Sequence, residues 1–216
     1  MTIAEIALAD DPARWDSLGF AVSGDTVRLG SVRLTLAGVD AGRGILGWSL
    51  RGVSNTELDG LPTTLSHAPS PHAEPPEPTT EHSNGITAID HIVAMSPELD
   101  RSVRVLSEAG LDLRRIREQP TPAGAPRQAF FRLGETILEV VQEPDEALAA
   151  RPDGTDGPAR FWGLALLTED LELTVEHLGE HSSEVRAAVQ PGRQIATVRR
   201  SAGLAVPVAL MSRAVA

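Results

Sequence analysis

The stretch "TAIDHIVAMSPELDRSVRVLSEAG", Thr87 to Gly110, decides the fold. Its first part, "TAIDHIVAM", reads as a strand by its apolar run. Ser96 and Pro97 then open a helix, with Glu98 and Asp100 as acids in the first turn. Leu99, Val103 and Leu106 recur at helical spacing, and Gly110 closes the segment. Three more strand candidates follow, "LDLRRIRE", "RQAFFRLG" and "TILEVVQE", the last two meeting at Gly134 and Glu135 as the arms of a hairpin do. The unit is β-α-β-β-β.

Working outward, the same order recurs after the Pro/Gly/Asp loop "EPDEALAARPDGTDGPA": a strand "RFWGLALLT", a helical "EDLELTVEHLGEH", then "EVRAAVQ", "RQIATVRR" and "AVPVALMS". Upstream, "VRLGSVRLTLAG" echoes "FRLGETILEVVQ", so that Arg28, Leu29 and Gly30 match Arg132, Leu133 and Gly134. "TIAEIALADDPARWDSLGF" echoes the deciding stretch with a shorter helix, and "GRGILGWSLRGV" echoes "PARFWGLALLT". Residues 1–65 therefore read as a truncated copy of the later architecture. Between them, residues 66–86 are rich in Pro, Ser, Thr and acids, and are expected to be an exposed linker. The histidines at 67, 72 and 82 lie in this tract, too widely spaced for a metal site. The remaining chain, 87–213, divides into modules 87–146 and 159–213.

Composition removes several chemistries. The 216-residue chain has no cysteine, no lysine and no tyrosine, which excludes disulfides, a thiolate nucleophile, Schiff-base chemistry, P-loop phosphate binding and a tyrosine acid. A net charge of −11 with scattered arginines repels phosphate backbones, so no nucleic-acid partner is expected. No apolar run approaches the roughly 20 residues that span a bilayer. The acidic start "MTIAEIALADDPARW" is unlike a signal peptide, and cytoplasmic residence is expected. "GWSLRG" around Ser49 misses the G-x-S-x-G nucleophile elbow, because its second glycine comes one residue late.

With these residues in view, Thr87 to Arg213 resembles the vicinal oxygen chelate superfamily, which includes glyoxalase I, extradiol dioxygenases, methylmalonyl-CoA epimerase and bleomycin-resistance proteins. More closely, it looks like tandem glyoxalase-like proteins. The "DHIV" strand, the acid-started helix and the "ILEVV" strand carry the resemblance. It implies an α+β fold in which paired βαβββ modules, with curled mixed or antiparallel sheets, surround a cleft. It also implies a divalent metal (Fe, Zn, Mn or Ni) held by residues on facing strands, to which His91 and Glu139 correspond by position. The second module departs from the pattern, with Trp162 or Gly163 in place of a ligand and no acid in "AVPVALMS". In the N-terminal copy, Glu5 falls at the His91 position and Thr35 at the Glu139 position.

The candidate ligand-binding residues are therefore His91 and Glu139 as a polar floor and Phe130 and Trp162 as walls, with Arg132 and Arg28 as candidates for an anionic group. One carboxylate among the apolar residues of "TILEVVQ" is costly unless paired, which favours a cleft position for Glu139. Three functions remain open: a binding module that holds a small molecule between the modules, a metal-dependent lyase, isomerase or dioxygenase acting on a small oxygenated substrate, and a structural or assembly role for a degenerate tandem. The partners left open are a small-molecule ligand and a second copy of the chain.

Overall fold

Alternating burial divides the residues of several strands between a core and an open face. The structure is a computed structural model and describes residues 1–67, 80–121 and 124–213; His72 lies outside them. In the N-terminal part, β1 (Thr2–Leu8), β2 (Val22–Ser23), β3 (Thr26–Leu29), β4 (Val32–Leu36), β5 (Ile45–Arg51) and β6 (Thr63–Leu65) form a six-stranded sheet in the order β2-β3-β4-β1-β5-β6. β1 runs parallel to β4 and antiparallel to β5. The short helix α1 (Pro12–Ser17) follows β1. Its N-cap Asp11 accepts the Ala13 amide at 2.9 Å, and Pro12 takes a first-turn position where its missing N–H has no partner to lose.

The second sheet has eight strands in the order β12-β13-β14-β11-β7-β10-β9-β8. Its first half is β7 (Ile86–Ser96), α2 (Leu99–Glu108), β8 (Asp112–Arg117), β9 (Gln128–Leu133) and β10 (Thr136–Gln142). A short helix α3 (Asp145–Ala149) intervenes. The second half is β11 (Arg160–Thr168), α4 (Leu171–Leu178), β12 (Arg186–Ala187), β13 (Gln194–Thr197) and β14 (Val208–Ser212). Each half is β-α-β-β-β, with its first and last strands parallel. The halves join where β7 and β11 pair antiparallel at the centre of the sheet. On β10, Thr136, Leu138 and Val140 are buried while Ile137 and Glu139 turn to the other face, which is the concave one.

The N-terminal sheet repeats this connectivity, with β5 antiparallel to β1 as β11 is to β7, and β6 parallel to β5 as β14 is to β11. One hydrophobic cluster runs through both sheets, from Ile6, Trp15 and Leu50 to Ile92, Phe131 and Leu164. Trp48 and Phe161 meet edge-on across them at 5.1 Å. Asp59 binds Arg101 of α2 (Nε to Oδ1, 2.8 Å) and accepts from the Ser102 hydroxyl. Buried Glu143 is held by Arg151 at 2.6 Å and Arg160 at 3.0 Å, which ties the loop after β10 to β11.

Three local expectations are corrected. The N-cap of α2 is Glu98, whose carboxylate accepts the Asp100 and Arg101 amides at 3.2 and 2.6 Å. The hydroxyl of Ser96 instead meets that of Ser102 at 2.6 Å. The second module repeats this pair in Thr168 and Thr174, 2.7 Å apart. The loop between the modules is not wholly irregular, since Asp145 and Glu146 supply acids to the first turn of α3. Nor is the tract 66–86 exposed throughout: His82 and Asn84 are buried. His82 accepts the Ala21 amide, and Asn84 donates to the Leu18 carbonyl, both at 2.9 Å. Polar side chains with such partners join a core that an apolar count does not register.

Candidate functional site

The concave face of the eight-stranded sheet holds a cavity of about 470 Å³. His91 of β7, Phe130 and Gln128 of β9, Glu139 of β10, and Arg115 and Arg117 of β8 line one side of it. Val189 and Pro191 of the β12–β13 turn, with Ile195 and Met211, line the other. The parallel register sets Ile137 beside His91 and Glu139 beside Val93, so His91 and Glu139 lie diagonally across neighbouring strands. Phe130 stands opposite Glu139, and Arg115 opposite Phe130.

A register shift shapes the floor. His91 pairs with Ala165 and Ile89 with Leu166, which leaves Asp90 as an extra residue on β7. Neighbours on a regular strand point to opposite faces, whereas the bulge lets Asp90 and His91 meet, with Nδ1 2.8 Å from Oδ2. Arg193 reaches Asp90 from the other module at 2.6 Å and also donates to the Ser212 carbonyl at 2.8 Å. Burial works to raise the Asp90 pKa, but the hydrogen bonds from His91 and Arg193 outweigh it and hold the carboxyl below its ordinary value. The His91 Nδ1–H is thereby committed, and Nε2 faces Glu139 Oε2 at 3.4 Å. Glu139 also accepts from the Gln128 amide. Burial raises the Glu139 pKa, with the attraction of His91 and the Gln128 bond opposing it.

The structure thus brings His91, Glu139 and Phe130 together, and leaves Trp162 out. Trp162 is the extra residue at a second shift, between Phe161 and Gly163, and is half exposed without lining the cavity. Arg132, whose Nη1 donates to the Gly134 carbonyl at 3.1 Å, does not line it either. Arg28 lies in the other sheet. Sequence reading missed Arg115, Arg117, Gln128, Asp90 and Arg193. Of these, Gln128 was within reach of it, since a strand period of two sets it on the Phe130 face. Gly30, residues 80–88, Glu135, Glu169 and Arg213 line a larger hollow of about 680 Å³, where neither His91 nor Glu139 is present.

The donors present do not fit a closed divalent-metal site. In the second module the positions equivalent to His91 and Glu139 are Gly163 and Ala209, neither of which carries a donor. A Cβ on Gly163 would stand 2.7 Å from the Pro207 carbonyl oxygen, so this backbone admits no side chain there. Among the described residues, no group of three or more His, Asp or Glu side chains is placed to hold a metal ion. Two donors, His91 Nε2 and the Glu139 carboxylate, fall short of the roughly three protein ligands of a tight catalytic centre. In the N-terminal sheet Thr35 donates to Glu5 at 2.8 Å, so those two residues satisfy one another.

Comparison places this architecture. Residues 88–205 match the family model of the Glyoxalase/Bleomycin resistance protein/Dioxygenase superfamily, and the chain belongs to that family. Among solved structures it is similar over its whole length to a xylose isomerase-like TIM barrel/4-hydroxyphenylpyruvate dioxygenase fusion protein. The TM-score is 0.64 at 13% identity, and the match covers 49% of that protein. The chain also matches methylmalonyl-CoA epimerase from Mycobacterium tuberculosis, with TM-score 0.49 and 15% identity over 60% of this chain and 90% of the epimerase. No curated protein matches the chain. Among the described residues, no helix is long and apolar enough to cross a membrane.

Proposed function

We propose that the chain binds a small, partly apolar, oxygen-bearing molecule in the cavity between its two modules, with His91 and Glu139 as the polar floor and Phe130 as a wall. The observation that carries this reading is the convergence of His91, Glu139 and Gln128 on one concave face among Phe130, Ile195 and Met211, with His91 oriented by Asp90. The lining divides about evenly between apolar side chains and polar groups that can orient a ligand, and about 470 Å³ is an ordinary size for a small-molecule site. The polar groups orient the ligand, and Arg193 couples the β12–β13 turn to that floor through Asp90.

A metal-dependent lyase, isomerase or dioxygenase is the second reading, favoured by the family and by the facing of His91 and Glu139. Such a reaction would use the metal as a Lewis acid on the substrate oxygens, and the chain supplies two donors for it. Metal analysis of the purified protein separates the readings. The binding-module reading expects far less than one equivalent after dialysis. One equivalent that survives dialysis, and is lost in both His91→Ala and Glu139→Ala, overturns it in favour of the enzyme.

A further inference from the structure

On the strand that walls the cavity, cations and their partners are distributed unevenly. Arg114 sits outside the cavity and binds Asp112 at 3.2 Å. Arg127, across the β8–β9 connection, is held by Glu118 at 2.7 Å and Asp100 at 3.0 Å. Arg115 and Arg117 take the opposite course. Opposed to Phe130 and Gln128 in the register, they share the cavity face of β8, and neither has a carboxylate within ion-pair distance among the described residues. The Arg115 guanidinium lies 4.9 Å from the centre of the Phe130 ring, over its face, a contact that holds the group at the wall and takes up none of its N–H donors.

In a chain of net charge −11, two guanidinium groups left unpaired on a concave wall are an excess that calls for an anion. The floor does not supply it. Asp90 is already neutralised by Arg193, and Glu139, engaged by His91 and Gln128, attracts Arg115 only from beyond ion-pair distance. The third cation near the cavity, Arg193, is consumed by Asp90, the Ser212 carbonyl and Gln190, so among the described arginines there, Arg115 and Arg117 are the two without a carboxylate partner.

We infer that the cavity takes a small organic anion. Its acidic group rests on Arg115 and Arg117, its apolar or aromatic body lies against Phe130, Ile195 and Met211, and an oxygen faces His91 and Glu139. The guanidinium fork pairs with a carboxylate or a phosphate through two parallel hydrogen bonds, so both anions fit the chemistry. The inference rests on the proposed binding function and adds the charge and orientation of the ligand.

The test measures binding of benzoate, phenyl phosphate and the neutral isostere benzamide to the full chain, by chemical-shift titration of its backbone amides. At least one of the two anions should bind at least tenfold tighter than benzamide, move the amides around Phe130, and weaken as salt is raised. Whichever of benzoate and phenyl phosphate binds tighter identifies the acidic group. The double variant Arg115→Gln, Arg117→Gln should lose that advantage while keeping benzamide binding. Arg115→Lys with Arg117→Lys should regain part of it, and Arg132→Gln should leave it unchanged. Benzamide binding as tightly as both anions, or a preference for anions that persists in the double Gln variant, overturns the anion inference and leaves the binding function standing. If none of the three probes moves the cavity amides, both readings fall. Retained benzamide binding guards against mistaking a folding defect for the loss.

Discussion

The ring of His82 accepts the Ala21 amide at Nδ1 and meets the Arg28 carbonyl at Nε2, both at 2.9 Å, so only the neutral ring protonated at Nε2 satisfies both neighbours. Burial lowers its pKa, with the Arg28 bond working the other way. A histidine whose folded pKa lies below its unfolded value, about 6.5, contributes full stability above that value and loses it as pH falls toward the folded one. The urea midpoint should therefore drop between about pH 7 and about pH 5.5. The drop should be smaller in His82→Gln; equal slopes in the two proteins would remove His82 as its source. This role was not legible in the sequence, where His82 stands among prolines and acids and its partners lie more than fifty residues away. His91 and Glu139 were legible through their positions in the family resemblance, and alternation along β10 agrees with the placement of Glu139. Asp90 was not, because alternation assigns it to the opposite face and only the bulge returns it to His91.

At the scale of the element, that bulge belongs to a set. The extra residue on β1 is Ala4, on β5 Leu46, on β7 Asp90, with Thr87 at a further shift near its start, and on β11 Trp162; the residues that follow Ala4, Leu46, Asp90 and Trp162 are Glu5, Gly47, His91 and Gly163. Each repeat thus re-aims one side chain at the same place on its strand, and the side chain found there decides what the repeat contributes. In β5 and β11 it is glycine for a common reason. The next strand approaches so closely that a Cβ would stand 2.9 Å from the Pro62 oxygen at Gly47 and 2.7 Å from the Pro207 oxygen at Gly163. The same carbonyls accept the Trp48 and Leu164 amides at 3.1 and 3.0 Å, so the approach is bonded in place. Gly163→Ala should therefore destabilise the protein by about 1–3 kcal/mol, as overpacking does, and Gly47→Ala by a similar or smaller amount. Urea unfolding measures both. Wild-type stability in the two variants would mean that the strands part easily, and a donor side chain at position 163 would then be admissible. The echo of "GILGWSLRG" in "RFWGLALLT" exposes the repeat in the sequence, but periodicity carries no mark of a bulge, so the sequence alone sets Trp162 in the cavity wall while the structure leaves it outside.

Across the whole molecule, the repeats raise the question of whether residues 1–65 are a part of the fold or a passenger on it. We propose the former, with 66–86 as the connection and 87–146 and 159–213 as the modules that enclose the cavity. The contacts between the sheets are of several kinds. Trp48 packs on Phe161, Asp59 holds both Arg101 and Ser102, and buried Asp10 accepts the Ala205 amide at 2.5 Å. Arg101 extends its link to the Thr155 and Gly157 carbonyls at 2.8 and 2.5 Å, so the loop that enters β11 is organised around Asp59 of the N-terminal part. Removing residues 1–86 would leave Arg101 without its carboxylate and expose apolar residues such as Phe161 that the shared cluster now covers. A small fragment with one short helix also buries too little surface to be stable alone. A chain beginning at Thr87 should accordingly unfold at lower urea than the full chain and bind an apolar dye such as anilinonaphthalene sulfonate. Trp48→Ala and Phe161→Ala in the full chain should show part of the same loss, with the double variant costing less than the two single losses together. If the shortened chain matches the full one in midpoint and binds no dye, the N-terminal sheet is an appendage and the modules stand without it.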